Sequence, residues 1–124
     1  MNEYKILIID DEPSVCNFLS DYLKYKGYNS KIALSGEEAL TALNTEHFDL
    51  VLLDLIMPEM NGLEVLERIK KIDLKVPIII LTSVKDKNIT ESSLEMGAVD
   101  FISKPIDIER LEESITINIS NILL

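Results

Sequence analysis

Asp49-Leu50-Val51-Leu52-Leu53-Asp54-Leu55-Ile56-Met57-Pro58-Glu59-Met60-Asn61-Gly62 is the stretch on which the fold turns. Leu50 to Leu53 run without a break into the carboxylate of Asp54. A short apolar run bounded by polar and turn residues is the pattern of a strand buried on both faces. Pro58, which lacks a ladder donor, and the turn-forming pair Asn61-Gly62 end it. Asp54 therefore belongs at the carboxyl end of a central strand, the edge at which open α/β sheets bind ligands.

Working outward, the same pattern recurs. Lys5 to Ile9 is a second apolar run, closed by Asp10-Asp11-Glu12-Pro13, and Ile78 to Leu81 is another, opened by Val76-Pro77 and closed by Thr82-Ser83. Asn29 to Leu34 is a weaker strand, and Val99 to Ile102 a fifth, ending at Ser103-Lys104-Pro105. Between them lie helical periods. Pro13 suits a first helical turn, after which Val15, Phe18, Leu19, Tyr22 and Leu23 share one face until Gly27 stops the helix. Ser35 with Glu38 has the spacing of a capping box for a helix burying Ala39, Leu40 and Leu43. A third helix, with Leu63, Leu66 and Ile69 inward, extends to about Lys75. The polar segment from Lys87 to Met96 predicts a thin surface helix with Ile89, Leu94 and Met96 to bury, ended by Gly97. The last helix, Asp107 to Leu124, carries Ile108, Leu111, Ile115, Ile119 and Ile122. Ile115-Thr116-Ile117-Asn118-Ile119-Ser120 also alternates with period two, as a strand would, but the longer stripe from Ile108 favours helix.

Five strands separated by helices predict a doubly wound α/β fold, a parallel sheet with right-handed crossovers and helices on both faces. With no linker, repeat or low-complexity segment, residues 1–124 read as one domain. The net charge of −10 argues against a nucleic-acid surface, which needs clustered Lys and Arg. The single cysteine, Cys16, cannot form an internal disulfide, and no signal peptide or membrane-spanning run is visible. A cytoplasmic chain is the expectation. Cys16 lies beside the first helix's apolar stripe and reads as a packed residue; His47, the only histidine, has no evident partner and no role.

All strand ends open on one rim, and four of the five carry reactive residues: Asp10-Asp11, Asp54, Thr82 and Lys104. At an effective dielectric of ~20, two like charges ~4 Å apart repel by about 4 kcal/mol, so three carboxylates on one rim call for a cation. Oxygen ligands without nearby His or Cys favour a hard ion, and few carboxylates with room for water favour Mg²⁺ over Ca²⁺. Lys104 suits a phosphoryl oxygen as a point charge, and Thr82 offers a hydroxyl. Asp54, central among them, is the candidate nucleophile for an aspartyl-phosphate. Taken singly, the acidic pair could be a helix cap, Lys104 a solvated lysine and Thr82 an ordinary strand-end hydroxyl; their coincidence carries the reading.

The pieces Ile8-Ile9-Asp10-Asp11-Glu12-Pro13, Leu53-Asp54-Leu55-Ile56-Met57-Pro58 with Asn61-Gly62, Leu81-Thr82-Ser83, and Gly97-Ala98-Val99-Asp100-Phe101 leading to Lys104-Pro105 together resemble a two-component response-regulator receiver domain over the whole chain. The resemblance implies a flavodoxin-like strand order 2-1-3-4-5 with five helices. It further implies that Asp54 accepts a phosphoryl group from a sensor histidine kinase or phosphotransfer protein. Asp11 and Asp54 would ligate Mg²⁺, with Asp10 assisting through water and the Ile56 carbonyl completing the set. Lys104 would pair with phosphoryl oxygens, and its bond to Pro105 would be cis. Thr82 would swing toward the phosphoryl group, and Phe101 would turn inward behind it. The face built from the fourth helix, fifth strand and fifth helix would then change its preference for an output partner or a fused output domain. Such a domain catalyses its own phosphorylation and slow dephosphorylation and turns over no external substrate. Ile117 and Leu124, opposite the buried stripe of the last helix, are candidate contacts for a homodimer on that face.

Three features depart from the commoner family pattern. Asn61 replaces an Asp in the turn, and Phe101 lacks the hydroxyl of a Tyr. Ile56 and Val84, two residues past Asp54 and Thr82, occupy the lifetime-tuning positions; being apolar, neither can orient an attacking water, so a phosphoryl lifetime of minutes or more is expected. Competing functions fit less well. An aspartyl-phosphate phosphatase commonly has a second Asp where Ile56 stands, and a flavin carrier needs a Ser/Thr/Gly-rich phosphate loop where Asp10-Asp11-Glu12 stand. A degenerate receiver used only for binding would not need Asp54, Thr82 and Lys104 together.

Overall fold

The computed structural model describes residues 3–83, 85 and 87–122. The expected lifetime-tuning residue Val84, the proposed dimer contact Leu124 and the side chain of Ile122 lie outside the described residues. The chain runs β1 (Lys5–Ile9), α1 (Pro13–Tyr25), β2 (Asn29–Ala33), α2 (Gly36–Thr45), β3 (Leu50–Leu53), α3 (Gly62–Ile72), β4 (Ile78–Thr82), α4 (Lys87–Glu95), β5 (Asp100–Ser103) and α5 (Ile108–Ile122). The strands are all parallel, in the order β2-β1-β3-β4-β5.

The unbroken apolar runs of β1, β3 and β4 follow from burial on both faces. Successive strand side chains point to opposite sides. Thus Leu7, Ile9, Val51, Leu53, Ile78 and Ile80 pack beneath α2 and α3, while Ile6, Ile8, Leu50, Leu52, Ile79 and Leu81 pack beneath α1 and α5. Fully burying each such side chain contributes about 1.5–3 kcal/mol. β2 lies at an edge and is partly exposed, which is why its sequence is more polar.

Several helix faces differ from those expected. On α1 the buried residues are Cys16, Leu19 and Leu23, whereas Phe18 is 52% exposed; the apolar stripe is rotated toward Cys16. On α3, Val65 is buried with Leu66 and Ile69, and Leu63 is only partly covered. Helix α3 ends at Ile72, where Asp73 turns back to accept from the backbone N–H groups of Lys75 and Val76. On α4, Leu94 is exposed and Ser93 takes the buried position, with its hydroxyl donating to the Thr90 carbonyl. β5 begins at Asp100, and Val99 is exposed. The segment from Ile108 is helical, with Leu111, Ile115 and Ile119 buried: a stripe of that length outweighs the short period-two alternation.

Ser35 caps α2, its hydroxyl accepting from the Glu38 N–H at 3.2 Å, and Glu38 reaches back to the Leu34 N–H. Asn61 caps α3 through its side-chain oxygen, which accepts from the Leu63 N–H at 2.9 Å. That explains why Asn serves as well as Asp in this turn. Among the described residues, no helix is long and apolar enough to cross a membrane.

Candidate functional site

The register of β1 against β2 and β3 brings the acidic residues together. The Asp10 N–H donates to the Ala33 carbonyl at 3.1 Å and the Asp54 N–H to the Ile9 carbonyl at 2.9 Å, so both aspartates continue the ladder just past the ends of β1 and β3. Each then folds its side chain back over its own turn. Asp10 Oδ1 accepts from the Glu12 N–H, and Asp54 Oδ1 from the Ile56 N–H, both at 3.0 Å. These bonds fix the carboxylate planes before any ligand arrives. Asp10 and Asp54 are buried, at 2% and 4% exposure, and Asp11 is half-buried.

Lys104 closes the group from β5. Its Nζ donates to Asp10 Oδ2 at 2.7 Å and to Asp54 Oδ2 at 3.3 Å, with Glu12 Oε1 at 3.9 Å. Burial by itself would lower the Lys104 pKa, but the bond to Asp10 and the charges of Asp54 and Asp10 outweigh it and raise the value. Lys104 is therefore a permanent cation at neutral pH. The shorter bond anchors it on Asp10, leaving the ammonium within reach of groups attached to Asp54. The Lys104–Pro105 peptide bond is cis.

One carboxylate oxygen from each of Asp10, Asp11 and Asp54 lies within 4.8 Å of the others. Three hard oxygen donors suit a small divalent cation with several water ligands. Beside this set lies Cys16, whose thiol donates to the Asp10 carbonyl at 3.3 Å. Burial, with the Asp10 charge, pushes its pKa up to about 11, so it stays a neutral thiol and not a thiolate ligand. Folded protein should therefore react with iodoacetamide far more slowly than urea-unfolded protein, as thiol titration over time would show.

Thr82 is fully buried at the end of β4, and its carbonyl accepts from the Lys104 N–H at 3.0 Å. Phe101 is partly buried against the α2–α3 side of the core. The side chain of Ile56, by contrast, is 51% exposed above the rim. Sequence reading overlooked two features. Arg110 grips Asp100 with both terminal nitrogens, at 2.9 and 2.6 Å, while the Ser114 hydroxyl donates to Asp100 at 2.6 Å. The i, i+4 spacing of Arg110 and Ser114 was the available signal; their shared partner Asp100, ten residues before Arg110 and fourteen before Ser114, was not readable. His47 has a partner after all: its Nε2 lies 3.2 Å from Asp49 Oδ1.

A family model of the response regulator receiver domain matches residues 6–116. The chain belongs to that family. The transcriptional regulatory protein ZraR of Salmonella typhimurium is 39% identical over 110 residues, covering 89% of this chain and 25% of that protein. The sporulation initiation phosphotransferase F of Bacillus subtilis is 37% identical over 115 residues, covering 93% of this chain and 92% of its relative. A CheY-like receiver domain protein from Methanospirillum hungatei superposes with a TM-score of 0.93 at 30% identity, over 97% and 96% of the two chains. The chain spans a quarter to a half of the length of most of the transcriptional regulators it matches. As a receiver domain it is a phosphorylation-activated signalling element and a phosphoacceptor, not a turnover enzyme on an external substrate. The phosphatase and flavin-carrier alternatives fall with that assignment.

Proposed function

We propose that residues 1–124 form a receiver domain whose phosphoacceptor is Asp54, charged by a sensor histidine kinase or phosphotransfer protein in the cytoplasm. The observation that carries this reading is the meeting of Asp10, Asp11, Asp54 and Lys104 on the carboxyl rim of the sheet, with Lys104 Nζ 3.3 Å from Asp54 Oδ2. In the transfer step an Asp54 carboxylate oxygen attacks phosphorus, the P–N bond to the donor imidazole breaks with its electron pair going to the ring nitrogen, and the ring leaves as neutral imidazole after taking one proton from solvent. Lys104, already charged and anchored on Asp10, pairs with the phosphoryl oxygens. Asp11, Asp54 and the Ile56 carbonyl would hold Mg²⁺, with Asp10 acting through water. When bound, the ion offsets the charge that phosphate and carboxylates share.

Thr82 and Phe101 are the switch residues of this reading: Thr82 ends β4 at the rim, and Phe101 lies on β5 within the α4–β5–α5 face. Ile56 is exposed beside the acceptor yet has no polar atom in its side chain to orient water, which supports a lifetime of minutes or more. Val84 is assigned the same part by its position in the sequence. The altered face would engage an output protein, a fused output domain or a second copy. The exposed Ile117 on α5, at 53%, supports such a contact. The transcriptional regulators matched over their receiver-length portion favour a transcriptional output, and the matched phosphotransferase favours a place in a phosphorelay.

Incubation with acetyl phosphate and Mg²⁺ should add one phosphoryl group to the wild-type mass and none to Asp54→Asn. Decay of the adduct after donor removal measures the lifetime. Uptake by Asp54→Asn at the wild-type level would place the acceptor elsewhere, and decay within seconds would refute the role given to Ile56.

A further inference from the structure

At the opposite end of the sheet, the residues leading into β3, β4 and β5 border a cavity of about 530 Å³ lined by Phe48, Lys70, Val76, Pro77 and Val99 among others. Lys70 comes from the last turns of α3. Its Nζ donates to the Leu74 carbonyl at 3.2 Å and to the Val76 carbonyl at 2.9 Å, spanning the connection into β4. Its stem lies against Gly97, where an added Cβ would come within 3.1 Å of Lys70 Cε. The amine is therefore held in one place, unlike a solvated surface lysine.

An ammonium has three N–H donors, and two of those on Lys70 have protein acceptors among the described residues. Loss of the third proton leaves a neutral amine that keeps both carbonyl bonds and exposes a lone pair. Burial drives the group in that direction, lowering its pKa against the opposing charge of Asp73. The other titratable groups facing the cavity are His47, Asp49 and Lys75. Asp49 is engaged by the Lys5 N–H and His47, and Asp73 by the Lys75 and Val76 N–H groups. The Lys75 ammonium is left to face an anionic reagent. An ordinary lysine is neutral only about once in a few thousand molecules at pH ~7, and lowering its pKa raises that nucleophilic fraction.

We propose that Lys70 is an acylation site for small acyl phosphates, placed by its two carbonyl bonds at the mouth of this cavity. Its nitrogen attacks the acyl carbon and an N–C amide bond forms. The C–O bond to phosphate breaks, inorganic phosphate leaves, and the surplus proton passes to solvent. The product nitrogen retains one N–H, so at least one of the Leu74 and Val76 carbonyls loses its partner. Acylation thus loosens the turn into β4 and the seat of Gly97 at the base of β5.

The test is limiting acetyl phosphate with the whole chain near neutral pH, in the presence of a chelator to suppress phosphorylation, followed by peptide mass mapping. Lys70 should gain the acetyl group several-fold faster than Lys71, its exposed neighbour, and faster than Lys75 in the same cavity. The lead should vanish in urea, where only local sequence remains. Equal rates at Lys70 and Lys71 in the folded protein, a faster Lys75, or a lead that survives urea would each overturn the proposal.

Discussion

Gly62→Ala is expected to cost the domain roughly 3 kcal/mol, one of the largest effects available to a single added methyl group. A Cβ on Gly62 would lie 2.3 Å from Leu55 Cα, 2.5 Å from its carbonyl oxygen and 2.7 Å from its carbonyl carbon. All three are backbone atoms, so no rotamer change relieves the clash. The Gly62 N–H also donates to that same Leu55 carbonyl, at 3.2 Å. Either the start of α3 moves away and loses this bond, or the segment after Asp54 moves and carries the acceptor with it. Urea denaturation should show a lower midpoint at unchanged slope, and uptake of a phosphoryl group should slow in the fraction still folded. Gly27→Ala is the contrasting case. Gly27 has φ +91 with nothing within 4 Å of an added Cβ, so only left-handed strain remains, about 1–2 kcal/mol. A Gly62→Ala variant as stable as Gly27→Ala would show that the close approach to Leu55 can relax freely.

The contrast also shows what a sequence discloses and what it withholds. Asn61-Gly62 reads correctly as a turn, because the turn is a local preference; the contact that forbids any side chain on Gly62 is set by a tertiary approach no local pattern reports. The same division holds elsewhere. The buried runs of β1, β3 and β4 declared themselves because burial on both faces removes polar residues from the sequence. Phe18 and Leu94 misled because an apolar residue on a helix does not reveal which side of a broad stripe meets the sheet. The reactive rim was legible because parallel topology sends every strand end to one side. Asp10, Asp11, Asp54 and Lys104 therefore meet whatever the details of packing. The Asp100–Arg110–Ser114 cluster was illegible because it depends on how α5 lies across the sheet; the Lys70 bonds are local, but their acceptors are backbone carbonyls, which leave no mark in the sequence.

Lys104→Met should destabilise the metal-free domain by about 2–4 kcal/mol while enlarging its response to Mg²⁺. Methionine replaces most of the stem, so the change isolates the charge. In the wild type the ammonium joins Asp10 and Asp54, both almost wholly buried, through bonds of 2.7 and 3.3 Å. Without it the two carboxylates face each other and Asp11 with no cation between them. The wild-type pKa of Lys104 is raised, burial being outweighed by its bond to Asp10 and the charges of Asp54 and Asp10. Its contribution is thus complete below the ordinary lysine value and is lost only as the pH climbs through the raised one. The deficit of the variant should accordingly be present in full at neutral pH. A divalent ion bound by the same carboxylates would meet no competing ammonium in the variant, so added Mg²⁺ should raise its melting temperature more than that of the wild type. Phosphoryl uptake should fall regardless, since the charge that receives the phosphoryl oxygens is gone. If Lys104→Met proved more stable than the wild type without metal, the carboxylates would be tolerating one another unaided. The ammonium would then serve the phosphoryl group alone and contribute nothing to the resting fold.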